Sequence, residues 1–223
     1  MRADAQVRSA MTKRASRPSP APAKPPPDDT RRQILNAAAK LLRQNGYAST
    51  SLRDIAAATG MKAGSLYYHF ASKEELAETV MAEGIDLVRA AVKKALAGRP
   101  SDSDPLEDIE IALRAHLHAL HESGDYASAN IRCFNHVPDE MKQRLRKVRE
   151  RYNADWRKLI VRARAAGCLD PSVDDEALRY GLFGVMNWTL EWLRPGGPLP
   201  DQLGAMFYKI LFNGARQLPA GNR

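Results

Sequence analysis

The sequence predicts an all-α protein with a group of short helices near its N-terminus and a larger helical bundle behind them. Apolar residues recur at the three- and four-residue spacing of amphipathic helices, and no segment shows the alternation of a half-buried strand. Glycine and proline interrupt this pattern at Gly46, Gly98-Arg99-Pro100, Gly124 and Gly167, so each break is expected to end a helix. The 223 residues are enough to bury a sizeable core.

The first predicted helix covers residues 30–46. Thr30 is placed to cap its start, and Gly46 is placed to end it. Three hydroxyl residues follow at 49–51, so one of them is expected to cap the next helix and to donate to a DNA phosphate. The apolar face of the first helix consists of Ile34, Leu35, Ala38, Leu41 and Leu42.

Residues 52–70, LRDIAAATGMKAGSLYYHF, have the pattern of a helix-turn-helix. Ile55 and Ala56 are expected to pack inward, and Gly60 stands where the tight turn needs a positive φ angle. Leu66 then faces back toward the first helix of the pair. Small and hydroxyl-bearing residues begin the second helix, which suits close approach to base edges in a major groove. This segment therefore predicts DNA binding.

The stretch ILNAAAKLLRQNGYASTSLRDIAAATGMKAGSLYYHFASKEEL resembles the N-terminal DNA-binding domain of TetR-family transcriptional regulators. A helix-turn-helix alone is a moderate signal, since any buried helix pair shares much of its pattern. The YYHF element, the Lys-Glu-Glu-Leu continuation and the flanking first helix make the resemblance specific. Ser72 and Glu75 have capping-box spacing for a long fourth helix. The resemblance implies a three-helix DNA-binding domain at 28–75 and a helical effector-binding and dimerisation domain at 76–216.

Two kinds of DNA contact are predicted for the helix-turn-helix. His69 lies at the exit of the second helix, and Tyr67 has a second interpretation, in which it packs against the fourth helix. Contacts to phosphates are assigned to Thr50, Ser51, Tyr68 and Lys73. Contacts to base edges are assigned to Lys62, Ala63, Gly64, Ser65 and Tyr67.

The resemblance implies that a small molecule binds inside the C-terminal bundle and changes the spacing of two DNA-binding domains through the fourth helix. A ligand can change this spacing only if it binds one arrangement of the two DNA-binding domains more tightly than the other. The helices of this part are predicted at 72–97, 105–123, 127–134, 138–166, 174–193 and 200–213. Aromatic residues at helical spacing also fit simple core packing. The candidate lining residues are Phe134, Met141, Tyr152, Trp156, Phe183, Trp188 and Trp192.

Residues 142–164 contain ten Lys or Arg side chains against Glu150 and Asp155. One interpretation is a ligand that carries phosphate groups, such as a coenzyme A thioester. The segment NWTLEWLRPGGPL at 187–199 resembles the last helices of some acyl-CoA-responsive members of the family. The other interpretation is a solvated polar helix face.

The last two predicted helices have the composition of a dimer surface. Gly181 and Gly184 form a small, flat patch on the first, and Met206, Phe207 and Ile210 are apolar residues of the second. The resemblance implies a four-helix bundle across a two-fold axis, while the alternative is that these residues fill the core of one chain. A palindromic operator needs two recognition helices about 34 Å apart, which favours a homodimer.

The excess of positive charge lies near the N-terminus. Residues 1–27 carry a net charge of +5, residues 28–75 carry +2 and residues 76–223 carry +1. The first segment is rich in proline and alanine and is expected to be a disordered tail. It acts either as a basic arm on phosphate or a minor groove, or as a solvated tail.

Other classes of protein lack support in the sequence. No phosphate-binding loop, nucleophile elbow, dinucleotide signature or zinc-protease helix is present, so neither an enzyme nor a cofactor is expected. His116, His118 and His121 contain no pair four residues apart, so no metal site is expected. The stretch 180–190 is too short to span a membrane, and Cys133 and Cys168 are expected to be reduced thiols in a cytoplasmic protein.

The predicted function is a transcriptional repressor that a small-molecule effector releases from a palindromic double-stranded DNA operator. The effector is expected to be hydrophobic, with an acyl-CoA as one option. A ligand-dependent activator and an enzyme of unknown chemistry are the alternatives.

Overall fold

In the computed structural model, residues 27–194 and 196–215 are described, and they form nine α-helices and one 3-10 turn, which confirms the all-α prediction. The predicted N-terminal tail lies outside the described residues, except for Pro27. The helices are α1 Pro27–Asn45, α2 Leu52–Thr59, α3 Ala63–His69, α4 Lys73–Ala95, α5 Pro105–Glu122, α6 Gly124–Cys133, α7 Asp139–Ala165, α8 Asp175–Trp192 and α9 Pro200–Ala215, with the 3-10 turn Phe134–His136 between α6 and α7.

Local sequence explains how α2 begins and ends. The Ser51 hydroxyl accepts a hydrogen bond from the Asp54 backbone N–H at 3.2 Å, and the Asp54 carboxylate accepts one from the Ser51 N–H at 2.8 Å. This reciprocal pair satisfies two N–H groups that the first turn leaves without helical partners. Gly60 ends α2 with a φ angle of 67°, as the turn requires.

Two expectations about helix ends are wrong. Thr30 does not cap α1, because the helix begins at Pro27, and a proline is well suited to the first turn of a helix. Gly124 does not separate α5 from a loop. It is the first residue of α6, and Ser123 alone joins the two helices.

The predicted capping box at α4 forms with one change of partner. The Ser72 hydroxyl accepts from the Glu75 N–H at 3.1 Å, as expected. The Glu75 carboxylate accepts from the Ala71 N–H at 2.7 Å, one residue before the cap. The start of α4 is therefore well capped next to the C-terminal end of α3.

Buried apolar side chains form two clusters. The head cluster packs α1, α2 and α3 against the first half of α4. Helix α6, the start of α7 and the segment between them complete it with Tyr126, Ala129, Cys133, Val137, Met141 and Leu145. The bundle cluster joins the second half of α4 to α5, α8, α9 and the rest of α7. Helix α6 contributes to both clusters, since Ala127 belongs to the second.

Helices α4 and α6 approach each other closely at Gly84. A Cβ atom at this position would lie 2.4 Å from the backbone carbonyl oxygen of Tyr126, closer than packed atoms tolerate. The Tyr126 hydroxyl in turn donates to the Asn36 side chain of α1 at 2.7 Å. Among the described residues, no helix is both long and apolar enough to cross a membrane.

Candidate nucleic-acid interface and ligand cavity

Helix α3 is held by few contacts and presents most of its side chains to solvent. Leu66 is its buried residue, and Phe70, which is buried as well, directly follows the helix. The turn before α3 is fixed by a hydrogen bond of 2.9 Å from the Met61 N–H to the Ala56 carbonyl. As a result, Lys62 and Ser65 lie on the exposed side of the helix-turn-helix.

Gly64 lies in α3 in open surroundings. A Cβ atom built at this position meets no atom within 4 Å, so the packing of the protein does not require a glycine there. Ala63, the other small residue predicted to contact bases, is partly buried. The absence of a side chain at Gly64 leaves room for close approach of another molecule.

The two tyrosines of α3 are exposed. Tyr68 is 85% exposed, and its ring meets the ring of partly buried His69 edge-on with centroids 5.3 Å apart. Tyr67 is 59% exposed, which favours a role at the surface over packing against α4. Aromatic rings in this position, next to exposed hydroxyl and amino groups, are available to rest on a DNA backbone.

Lys73 lies beside the exposed end of α3, at the start of α4. Its Nζ atom is 4.2 Å from the centroid of the Tyr47 ring, a cation–π contact. The Tyr47 hydroxyl donates to the Glu74 carboxylate at 2.9 Å, and burial together with this hydrogen bond raises the pKa of Tyr47 to about 12. Tyr47 therefore stays neutral and holds Lys73 close to the predicted phosphate contacts.

Thr50 is not placed for a DNA contact. It is 1% exposed, and its hydroxyl donates to the Gly46 carbonyl at 2.8 Å, where it closes the turn between α1 and α2. Ser51 is exposed, but its hydroxyl already accepts from the Asp54 N–H and donates to the Asp54 carboxylate at 2.6 Å. The predicted phosphate contact is therefore wrong for Thr50, whose hydroxyl instead holds the turn between α1 and α2.

A cavity of about 340 Å³ lies in the C-terminal part of the molecule, lined by α4, α5, α6, α7 and α8. Of the seven predicted lining residues, Tyr152 and Phe183 line it. Its apolar and small walls come from Gly84, Ile85, Val88, Leu120, Ala127, Ile131, Tyr152 and Phe183. Its polar lining consists of His116, Asn130, Arg149, Asn153, Arg179, Tyr180 and Asn187.

The other five predicted lining residues lie elsewhere. Met141 is buried in the head cluster, and Trp156 is fully buried in the bundle cluster behind the lining. Trp188 and Trp192 are 65% and 41% exposed because they share the outer face of α8, turned away from Phe183. Phe134 lies under the guanidinium of Arg149, at 3.5 Å from its ring centroid, and lines a neighbouring groove.

Two arginines border the cavity in different states. Arg179 is 3% exposed and paired with the Glu176 carboxylate at 2.6 Å, and it donates to Asn153 at 3.1 Å. Arg149 donates to the Asn130 side chain at 3.2 Å and has no carboxylate partner among residues 27–194 and 196–215. Burial lowers the pKa of Arg149 to about 10, so it remains charged at neutral pH without a counter-ion from the described chain.

The structure divides the ten cations of residues 142–164 into two groups. Six of them form ion pairs with carboxylates: Lys142, Arg144, Arg151, Arg157, Arg162 and Arg164. The other four make no ion pair within the described part of the chain: Arg146, Lys147 and Arg149, which line an open groove, and Lys158, which does not. Arg149 and Asn153 belong to both the groove and the cavity, so the two spaces adjoin.

His116 lines the cavity, whereas the sequence alone identifies it no further than as an ordinary surface or pocket histidine. Its Nδ1 atom lies 2.8 Å from the Tyr152 hydroxyl, and the two rings stack with centroids 5.8 Å apart. The described residues bring no three histidine, cysteine or acidic side chains together in a metal-binding group. The sequence indicates the burial of His116 through its helical spacing, because it follows Ala112 and Leu113 on the buried face of α5.

The outer faces of α8 and α9 are exposed. Cβ atoms built at Gly181 and Gly184 meet nothing within 4 Å, and Met206 and Ile210 are 43% and 69% exposed. Phe207 is partly buried against the bundle cluster, so it fills the core of its own chain more than the other four predicted interface residues do. Helix α9 packs mainly on α5, where Gly204 lies against Arg114.

The exposed α3 on its two-helix frame, joined to a helical bundle that contains a cavity, defines a helix-turn-helix DNA-binding regulator with a second, helical domain. Residues 34–80 match the family described as bacterial regulatory proteins, tetR family. Residues 102–215 match the tetracyclin repressor-like C-terminal domain, and this match alone spans half of the chain. The chain belongs to the TetR family of transcriptional regulators.

Similar proteins are found in sequence and in structure. The HTH-type transcriptional repressor KstR2 of Mycobacterium tuberculosis is 29% identical over 195 residues, which cover 82% of this chain and 92% of KstR2. The regulator PfmR of Thermus thermophilus has a TM-score of 0.70 at 26% identity, over 81% of this chain and 97% of PfmR. AibR, crystallised with isovaleryl coenzyme A and operator DNA, has a TM-score of 0.69 at 26% identity, over 82% of this chain and 98% of AibR.

Proposed function

We propose that this regulator is a homodimeric repressor that a coenzyme A thioester releases from a palindromic operator. The observation that carries the proposal is the cavity with apolar and aromatic walls that adjoins a cationic groove at Arg149. The cavity accepts an acyl group, and the groove accepts the phosphates of coenzyme A. In this proposal the N-terminal domain binds the operator, and the C-terminal domain binds the thioester that ends operator binding.

The cavity has the size and chemistry of an acyl-group site. Small-molecule sites measure roughly 300–1,000 Å³ and combine apolar walls with a few polar groups, and this cavity of about 340 Å³ has both. Tyr152 and Phe183 contribute aromatic surface to it. It is large enough for an acyl chain and too small for a whole coenzyme A molecule, which would extend outside.

The adjoining groove offers positive charge where the coenzyme would extend. Arg146, Lys147 and Arg149 lack ion pairs among the described residues, whereas their neighbours on α7 are engaged by carboxylates. An unpaired, partly buried arginine is a strong partner for phosphate, because its planar guanidinium donates two parallel hydrogen bonds. AibR, a structural neighbour, was crystallised with isovaleryl coenzyme A and operator DNA together, which supports the coenzyme A site and leaves the release step to the titration.

The outer surface of α8 and α9 supports a homodimer. Gly181, Gly184, Trp188 and Trp192 form an exposed stripe along α8, and Met206 and Ile210 extend the apolar surface on α9. Small residues allow two helices to approach closely, and exposed tryptophans bury large apolar areas on association. Two copies that pair through this surface supply the two recognition helices that a palindromic site needs.

DNA contacts are proposed for the exposed residues of the head. Lys62, Gly64, Ser65 and Tyr67, with Ala63 and His69 at the ends of α3, are proposed to meet base edges, and Tyr68 and Lys73 are proposed to contact phosphates. Release follows if the ligand favours a different spacing of the heads. Helices α4 and α6 both line the cavity and both pack into the head cluster, so they connect the two sites.

The test is a DNA-binding titration with the purified protein and its own upstream intergenic DNA. Octanoyl coenzyme A is added at increasing concentration, with free coenzyme A and octanoate as controls. We expect octanoyl coenzyme A to abolish specific binding, while the two fragments act only at far higher concentration. Specific binding that no thioester changes would contradict the coenzyme A assignment and leave the DNA-binding regulator in place.

Arg149→Gln is the informative variant for the groove. We expect it to raise the thioester concentration needed for release about tenfold, because it removes a charge-assisted contact to phosphate, while DNA affinity without ligand stays unchanged. Lys158→Gln is the matched control, since Lys158 lies on the same helix, lacks an ion pair within the described residues and lines neither space. Equal effects of the two variants would mean that only overall charge matters.

A further inference from the structure

His116 carries a buried polar atom without a partner. The side chain lines the cavity from α5 and is 2% exposed. Its Nδ1 atom is engaged by Tyr152, but within the described residues its Nε2 atom has no hydrogen-bond partner. Buried polar atoms are almost always hydrogen-bonded, because an unmade bond leaves the cost of desolvation without compensation. This atom is therefore a candidate for contact with a ligand.

The hydrogen bond to Tyr152 assigns the tautomer of His116. The Tyr152 hydroxyl is buried, and His116 Nδ1 is the acceptor that the described residues place within reach of it. Because a buried hydroxyl hydrogen needs an acceptor, Tyr152 donates to Nδ1, and the single proton of the neutral imidazole lies on Nε2. Burial lowers the pKa of His116 to about 3, so the ring is neutral at ordinary pH. Nε2–H is thus a neutral donor.

The surroundings of this donor are mostly aromatic. The rings of Tyr152, Trp156 and Phe183 have centroids 5.8, 6.3 and 5.7 Å from that of His116. Asn187 lines the same cavity, and its side chain raises the pKa of His116 against the larger effect of burial, yet it makes no hydrogen bond of normal geometry to Nε2. An uncharged donor among aromatic walls suits an uncharged oxygen on an otherwise apolar group, because it satisfies the hydrogen bond of that oxygen without placing a charge beside the rings.

We propose that the effector carries a carbonyl oxygen on the part that enters the cavity, and that Nε2–H of His116 donates a hydrogen bond to it. The inference rests on the proposed function in one respect, that the cavity is the effector site. It adds the chemical class of the buried group: an oxygen-bearing acyl or ring group is selected over a plain hydrocarbon. His116 determines specificity, since a site built to hydrogen-bond one group rejects the analogue that lacks it.

The test uses two neutral probes that differ in one atom group. Cyclooctanone and methylenecyclooctane have the same ring, and C=O in the first is replaced by C=CH₂ in the second. Calorimetric titration of the full-length protein is expected to show about tenfold tighter binding of the ketone, the size of effect that one buried hydrogen bond produces. In His116→Phe, the two affinities are expected to agree within about twofold.

A second variant and a control keep the result interpretable. His116→Gln retains an N–H close to the position of Nε2 and is expected to keep a preference of at least about threefold. His118→Phe changes an exposed histidine on the same helix and is expected to behave as wild type. Equal affinities in the wild-type protein, binding of neither probe, or a preference that survives in His116→Phe would each overturn the proposal.

The outcome is independent of the coenzyme A assignment, because neither probe contains coenzyme A. A ketone preference that depends on His116, together with failure of octanoyl coenzyme A to release DNA, would remove only the coenzyme. Release by octanoyl coenzyme A without any ketone preference would remove only the role of His116.

Discussion

The head cluster and the bundle cluster are built by the same helices in part, yet they differ in what they leave open. The head cluster is mainly aliphatic with Phe70, Tyr47 and Tyr126, and it supports α3. The bundle cluster contains Trp156 beside His116 and borders a cavity of about 340 Å³. The head cluster therefore fixes the position of the exposed helix α3, whereas the bundle cluster surrounds a cavity.

This difference indicates which residues are free to take part in each proposed activity. In the head, the proposed DNA contacts come from residues that the core does not need, as the open surroundings of Gly64 illustrate. In the bundle, the proposed ligand contacts come from buried polar groups that the core leaves incompletely satisfied, such as His116 and Arg149. Substitutions on the exposed face of the head should therefore change DNA binding and leave stability unchanged, whereas substitutions inside the bundle should change stability.

The largest effect is expected for Gly64→Leu in the head. A leucine side chain at the start of α3 would prevent close approach to base edges, so specific DNA affinity should fall by about 100-fold or more, toward the non-specific level. The thermal unfolding midpoint should stay the same, since nothing in the protein lies within 4 Å of the new Cβ. Fluorescence anisotropy with an operator fragment and a melting curve measure the two quantities. Normal DNA binding by this variant would show that α3 does not enter the groove.

Gly84→Ala should show the reverse behaviour. Alanine usually stabilises a helix by up to about 1 kcal/mol relative to glycine, but here its Cβ would lie 2.4 Å from the Tyr126 carbonyl oxygen. Because the obstacle is backbone, α4 and α6 must separate, and the free energy of unfolding should fall by about 1–3 kcal/mol. Urea denaturation measures this loss, with Gly64→Ala as the control that has open space. A more stable Gly84→Ala protein would mean that α4 and α6 leave room for a Cβ atom between Gly84 and the Tyr126 carbonyl.

The neutral state of His116 predicts a pH dependence of stability. Its pKa is about 3 in the folded protein against 6.5 when exposed, so the unfolded chain binds the extra proton first. This contribution is complete above pH 6.5 and is lost as the pH falls toward 3, at no more than about 1.4 kcal/mol per pH unit. Between pH 7 and pH 5, the wild-type protein should lose about 2 kcal/mol more unfolding free energy than His116→Phe. Parallel curves in urea titrations would show that the charged imidazole reaches water.

The smallest effects come from Thr50 and Lys73, which sequence reasoning had placed together. Thr50→Val removes a buried hydrogen bond and keeps the side-chain shape, so unfolding free energy should fall by about 1 kcal/mol while the salt dependence of DNA binding is unchanged. Lys73→Ala should leave stability nearly constant and reduce the slope of log affinity against log salt by about one. Salt titrations of both variants make the comparison. A reduced slope in Thr50→Val would return its hydroxyl to the phosphate contacts.

The amino-acid sequence was sufficient to predict the helices and the helix-turn-helix, because those signals are local. Caps, glycine turns and apolar spacing act within a few residues, and Ser51 and Gly60 perform the roles expected of them. The site was harder to predict because a cavity depends on which residues of five helices converge. Trp188 and Trp192 are residue types typical of a cavity lining, but they lie on the exposed face of α8 and not on the face that lines the cavity.

Burial explains the other residues whose roles in the structure differ from those predicted from the sequence. Thr50 and Ser51 are adjacent hydroxyl residues, and nothing in their spacing indicates that the first turns inward to close the α1–α2 turn. The ten cations of α7 are equally indistinct in sequence, because the carboxylate partners that six of them find come from other helices as well as from α7 itself. Among the four without such a partner in the described residues, Arg149 is distinguished by its burial and its position between Asn130 and Phe134.

The contribution of α6 and α7 to the head cluster also limits how far the molecule can be divided. Tyr126, Ala129, Cys133, Met141 and Leu145 follow the helix-turn-helix by some fifty residues or more, yet they cover its core. A fragment that ends with α4 would expose this apolar surface to water and would be expected to aggregate. A chimera that exchanges sensors between relatives must therefore carry over the matching faces of both helices, so specificity for DNA and specificity for ligand are inherited together more readily than separately.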